Sequence, residues 1–420
     1  MRKALPFCFL VCAALSAQMV PPPTDLPSQP FFIKQTWYIG GSGSWDSLTM
    51  DPSAGLLYIA HGSQVQVVGV SNGTVAGSVS GLREARSIAL DDTGQVGYVS
   101  DGQSNEVKAF NRSDFEVVGA VHTGAPPSTL VYEPQSGLLF AICPNATIRG
   151  LGYRQAKNHR SSERKDVKES PTSVITVMGT QPLQRVAEIL VDGTLGLAKA
   201  DDRGHVYIAV QDHNTIAQVD ASGLRAQLHT LLAGEGEAQA LEHRRDKPVH
   251  VYAPVVLDWR HSASTASSAE SLMRSFPIGP DCVDPQGMAV DSKDLRLFAA
   301  CRNMKLIVLN TGTGEIVATL PTGPGVDAVG YDPERGLIFT ANGGGDGSLT
   351  VISQQVPDLY AVIQNLPTRQ RARALAVDPT SGSVYLVTDY MGVDMSRAGG
   401  IGDLRMTPVA GSFQVLKIGN

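Results

Sequence analysis

One aromatic position recurs seven times along the 420-residue chain, each time with the same neighbours. Aligned on it, the segments are MDPSAGLLYIAHG (Tyr58), LDDTGQVGYVSDG (Tyr98), YEPQSGLLFAICP (Phe140), KADDRGHVYIAVQ (Tyr207), VDSKDLRLFAACR (Phe298), YDPERGLIFTANG (Phe339) and VDPTSGSVYLVTD (Tyr385). Seven residues before the aromatic stand Asp51, Asp91, Glu133, Ala200, Asp291, Asp332 and Asp378. Three or four residues before it stand Gly55, Gly94, Gly137, Gly204, Gly336 and Gly382, with Leu295 as the exception. An acidic side chain accepts backbone N–H bonds within a tight turn, and glycine takes positive φ there without steric cost. Each copy therefore reads as strand, turn, strand.

The aromatics are 40, 42, 67, 91, 41 and 46 residues apart. Four of these spacings match the period of a four-stranded propeller blade, and the following runs (QVQVVGV, EVKAFN, TIAQVD, KLIVLN, LTVIS) supply a third strand. A lone blade leaves both faces uncovered, so the copies must pack radially to bury them. No helical pattern separates the strands, which argues against a parallel α/β fold. The expected class is all-β: a seven-bladed propeller of four-stranded blades with two long insertions, or, as the alternative, eight blades. The first insertion, about residues 149–170, holds seven Lys or Arg against three Asp or Glu and reads as a solvated loop or a basic lid. The second, about residues 225–275, could contain a decayed eighth blade with Tyr252 as its aromatic.

The last repeat offers ALAVD, VYLVT and SFQVLKIG and is then one strand short. The segment Phe32 to Gly40, ahead of the first copy, is the expected fourth strand. Pairing the two ends would remove the open edges of the array.

These repeats, with Pro285 to Asn303, Asp332 to Ile352 and Arg371 to Leu386, resemble the YVTN-type β-propeller repeat family of exported bacterial proteins. The likeness covers about residues 31–420. It implies a seven-bladed propeller and, for function, binding or scaffolding more than any particular activity, because the fold is shared with quinoprotein dehydrogenase subunits and lactonases.

Residues 1–17 place Arg2 and Lys3 before an apolar run and end in small residues, the layout of a secretory signal peptide. Residues 18–30 hold five prolines and read as a linker before the propeller domain of residues 31–420. A periplasmic or secreted protein is expected, without a transmembrane segment and as a monomer. Lys plus Arg minus Asp plus Glu is 34 − 40 = −6, so nothing attracts the chain to nucleic acid. Of three cysteines outside the leader, Cys282 enters a first strand and Cys301 ends the second strand of the same blade. Both reach one face, and a disulfide between them is expected, with Cys143 a buried thiol.

No cofactor signature is present. Ser71 in GVSNG matches the hydrolase elbow in letters only, because Asn72-Gly73 makes a hairpin turn and a strand follows. His243 and His250 lack a third ligand, so no metal site is expected. Chemistry in a propeller gathers where the loops leaving second strands meet those entering first strands. Repeat arithmetic puts His61, Arg86, Asp101, Asp212, His213, Arg302, Asp327, Asn342, Arg371 and Arg373 there as candidate ligand-binding residues. The arginines favour a small anionic ligand or a protein partner. The function expected is an exported, non-catalytic binding or scaffold protein. The alternative is a hydrolase, lactonase or quinoprotein-related subunit, for which Asp101, Asp212, Asp327 and Asn342 would have to converge on calcium.

Overall fold

The computed structural model describes residues 29–146, 172–230, 255–259, 272–394 and 405–420. Seven antiparallel blades form the ring, and no eighth occurs among these residues. Blade 1 comprises Trp45–Asp51, Leu56–His61, Gln64–Gly69 and Val75–Val79; blade 2 comprises Ala85–Leu90, Val96–Asp101, Glu106–Asn111 and Val117–His122. Blade 3 is Thr129–Glu133, Leu138–Cys143, Thr172–Thr180 and Leu183–Asp192; blade 4 is Leu195–Ala200, His205–Val210, Thr215–Asp220 and Met273–Pro277. Blade 5 runs through Pro285–Asp291, Arg296–Cys301, Lys305–Asn310 and Ile316–Pro321; blade 6 through Val326–Asp332, Leu337–Asn342, Ser348–Val356 and Leu359–Pro367. Blade 7 is Leu375–Asp378, Ser383–Thr388 and Gln414–Gly419, completed by Phe32–Tyr38 from the other end of the chain.

That last pairing is the expected closure. Phe32 lies opposite Gly419 and Tyr38 opposite Gln414, and Trp37 stacks on Tyr385 with centroids 5.9 Å apart. Just ahead of the strand, the Phe31 N–H donates to Gln364 Oε1 and Gln364 Nε2 donates to the Phe31 carbonyl, both at 2.8 Å, so the closing strand is also clamped to blade 6.

Second strands are covered by neighbouring blades on both faces, which is why they read as unbroken apolar runs. The seven recurrent aromatics sit on them and are buried, from 0% exposed at Tyr58 to 2% at Tyr98. Outer strands such as Val117–His122 are largely exposed instead.

At one end of the ring the acidic residues shape the turns. Asp332 accepts the N–H groups of Glu334 and Arg335, and Glu133 accepts those of Gln135, Ser136 and, from the next blade, Gly204. Two details differ from the sequence alignment. In blade 4 the acceptor is Asp201, one residue after Ala200, because that turn is shorter. In blade 5, Leu295 takes φ 57°, close to the 59° of Gly336, so the turn keeps its shape at a steric cost that glycine avoids.

The second insertion differs from expectation where it is described. Residues 149–170, Tyr252, His243 and His250 lie outside the described residues, as do residues 1–28. Within the second insertion, residues 221–230 form a helix whose Leu224 and Leu228 are buried. Val255–Asp258 then adds a fifth, parallel strand to the outer edge of blade 3, covering an edge that would otherwise be open. A third insertion, absent from the sequence reading, forms a hairpin of Met391–Asp394 and Arg405–Pro408 between the second and third strands of blade 7.

Candidate functional site

The loops that leave second strands and those that enter first strands share the end of the ring opposite the acidic turns. The structure holds Cys282 and Cys301 there as a disulfide, with Cα atoms 5.2 Å apart. Cys143 is a buried free thiol, and burial pushes its pKa up to about 12.

Ten sequence-derived candidates divide here. Three are turned inward and occupied. His61 is 1% exposed, with Nδ1 2.7 Å from Gln66 Oε1, Nε2 3.3 Å from the Gly43 carbonyl, and its ring 3.9 Å from that of Phe413. Asp101 is buried, accepting the N–H groups of Arg83 and Glu84 at 2.9 Å and pairing with Lys108 at 3.2 Å. Burial alone would raise its pKa, but these donors outweigh it and hold the carboxyl below the ordinary range. Asn342 bonds Thr340, Ser348 and Thr350. Asp212 and His213 are exposed on blade 4, where Asp212 accepts the Thr194 N–H at 2.7 Å.

The other five meet around the channel mouth, each in an ion pair. Arg86 reaches Asp46 at 3.3 Å and Glu84 at 2.7 Å. Arg373 faces Asp327 at 3.6 Å, Arg302 holds Asp284 at 2.6 Å, and Arg371 holds Asp389 at 3.0 Å. Asp46 also feels Arg373 and Asp327, and Asp327 also feels Arg302. The result is a rim of alternating sign: Arg86, Asp46, Arg373, Asp327, Arg302, Asp284. Burial raises the pKa of Asp46 and Asp327, and the neighbouring arginines only partly offset it. Repeat position also puts Asp389 at this face, whereas Asp46 and Glu84 escaped the sequence reading, because it gives height along the axis but not side-chain direction.

This pairing changes the electrostatic expectation. The arginines alone favoured an anion, but their carboxylate neighbours cancel that preference. Nor do Asp101, Asp212, Asp327 and Asn342 converge: two are buried in separate hydrogen-bond networks, and no cluster of three acidic, histidine or cysteine ligands occurs among the described residues.

Two features beside the rim give it shape. Ser44, Trp45, Gly343, Arg371 and Arg373 line a hollow of about 240 Å³, with the Arg371 guanidinium 4.7 Å from the Trp45 ring. Arg371 Nη1 also donates to Met391 Sδ, at the base of the extra hairpin. Along that hairpin Val393 pairs with Met406, and they are 48% and 58% exposed.

No protein-family model and no curated protein matches the chain. Solved structures do. A chain of "Crystal Structure of Mitotic Checkpoint Complex" aligns over 96% of this chain and 100% of its own, with 12% identity and a TM-score of 0.58. "Structure of U3-55K" aligns over 90% and 96%, with 9% identity and a TM-score of 0.59. Likeness at such identities shows the β-propeller fold alone.

Proposed function

We propose that the chain is an exported, non-catalytic binding or scaffold propeller of the YVTN type, and that its mouth engages a protein segment carrying both signs of charge beside an apolar anchor. One observation carries this reading: an alternating ion-pair rim lies next to an exposed apolar hairpin. Interfaces combine an apolar core with a charged rim that sets register and rejects wrong partners. Arg302 and Arg373 have side chains 69% and 51% exposed, so they can exchange or share their present acids with a partner. Arg373 is the freer, since its 3.6 Å ion pair exceeds hydrogen-bond length. Export rests on the residue 1–17 pattern and is supported by the disulfide, since such bonds persist in oxidising compartments.

Selection from a random displayed-peptide library tests the proposal. Peptides recovered on the parent should bind R302A/R373A at least about tenfold more weakly, a change of roughly 1.4 kcal/mol, while the melting temperature stays the same. Peptides that bind both proteins equally, or that protect the acidic turns instead of the mouth, would overturn it.

A further inference from the structure

Every first strand places one residue directly opposite the recurrent aromatic of its blade. In six blades that residue is small or aliphatic and uncharged: Thr49, Ala89, Val131, Ala289, Gly330 and Ala376. In blade 4 it is Lys199, opposite Tyr207. The lysine faces a cavity of about 260 Å³ in the channel, whose walls include Leu48, Met50, Val290, Val329, Leu375 and Val377 from blades 1, 5, 6 and 7. Its side chain is exposed within this lumen.

Among the described residues the Lys199 ammonium makes no hydrogen bond and no ion pair. A cation held among largely aliphatic side chains, with no direct hydrogen-bond or ion-pair partner, is stabilised when an anion joins it. Burial lowers the Lys199 pKa, and the Asp202 carboxylate opposes that shift without making an ion pair with the ammonium. One charged group in a concavity lined mainly by aliphatic side chains is the pattern that orients a ligand with a single ionised end.

We propose that the channel is a binding site for a small apolar monocarboxylate, with its carboxylate on Lys199 and its hydrocarbon body against the aliphatic ring. The site lies toward the acidic-turn end and is independent of the mouth proposed above. A free phosphate or a dicarboxylate fits less well, because a second charge would be left among the aliphatic walls.

Calorimetric titration with straight-chain carboxylates from butyrate to decanoate, each against its matching alcohol, tests the site on the full chain. At least one carboxylate should bind the parent tenfold or more tightly than its alcohol, and in K199M that difference should vanish. K199M should melt at or above the parent temperature, since it removes a charge that makes no hydrogen bond or ion pair among the described residues, whereas a structural lysine would show a lower melt. R302A/R373A should bind the same carboxylate as the parent does, which separates this site from the mouth. Equal carboxylate binding by K199M, loss of binding in R302A/R373A, or no carboxylate preferred to its alcohol across the series would each overturn the proposal.

Discussion

The two ends of this ring use the same residue types for different work. At the turn end, carboxylates such as Glu133, Asp332 and Asp378 point back into their own loops and accept backbone N–H groups, Asp332 holding the Arg335 side chain as well. At the mouth, Asp46, Asp327 and Asp389 meet arginine side chains instead, and burial raises all three pKa values. Asp101 shows that the distinction is one of geometry rather than location: it lies at the mouth end yet caps Arg83 and Glu84, and its pKa is lowered. A carboxylate bonded to its own backbone is fixed in direction by its loop, whereas one held by a mobile side chain can change partners.

The closing strand Phe32–Tyr38 spans both ends, so removing it should disturb them together. Deleting residues 19–40 should lower the melting temperature more than any substitution considered below. Loss of the buried Phe31 and Trp37 side chains alone should cost roughly 6–10 kcal/mol, as read by thermal and urea unfolding. An unchanged melt would show that the ring does not depend on this closure.

Next in size is the disulfide. At the mouth of blade 5, Cys282–Cys301 ties the entering loop to the second strand, while the turn end of that blade relies on Asp291 and its backbone bonds. Changing both cysteines to Ser should cost about 3 kcal/mol, the chain-entropy value for a loop of this length. Mass spectrometry of the untreated parent without residues 1–17 should find one free thiol, Cys143.

A smaller effect sharpens the contrast through pH. Asp101 has a lowered folded pKa, so its stabilisation is present above the unfolded value and is lost as pH falls through the folded one. Asp327 is raised, so the sign reverses: its favourable contribution exists at acid pH and is lost as pH rises through the folded pKa. In urea unfolding at pH 7, D101N should lose about 1–3 kcal/mol, the range for a buried acceptor that no longer satisfies its donors. D327N should be neutral or slightly stabilising at pH 7. The D101N deficit should shrink as pH falls below the ordinary aspartate range.

How far the sequence reveals this follows from what a repeat encodes. The seven aromatics, the acidic turns, the missing strand of the last blade and the Cys282–Cys301 proximity all follow from position within a period. Side-chain direction does not: His61, Asp101 and Asn342 have the right height along the axis but point inward. Nor do insertions follow a period. The hairpin at Met391–Pro408 and the parallel strand Val255–Asp258 break the pattern that made the blades visible. Lys199 could have been seen, since it is the one charged residue in a column of Thr, Ala, Val and Gly, but the column appears only once strand register is known.

The division between the ends is tested most directly by one protease-susceptibility scan of alanine variants. Glu133, Asp332 and Asp378 represent the turns; Arg86, Arg302 and Arg373 represent the mouth. Each turn variant should lose about 1–3 kcal/mol, since its backbone donors are left unsatisfied, while each arginine variant should stay within about 0.5 kcal/mol of the parent. Overlapping losses in the two sets would contradict the division, because the mouth residues would then be holding the fold together rather than remaining available to a partner.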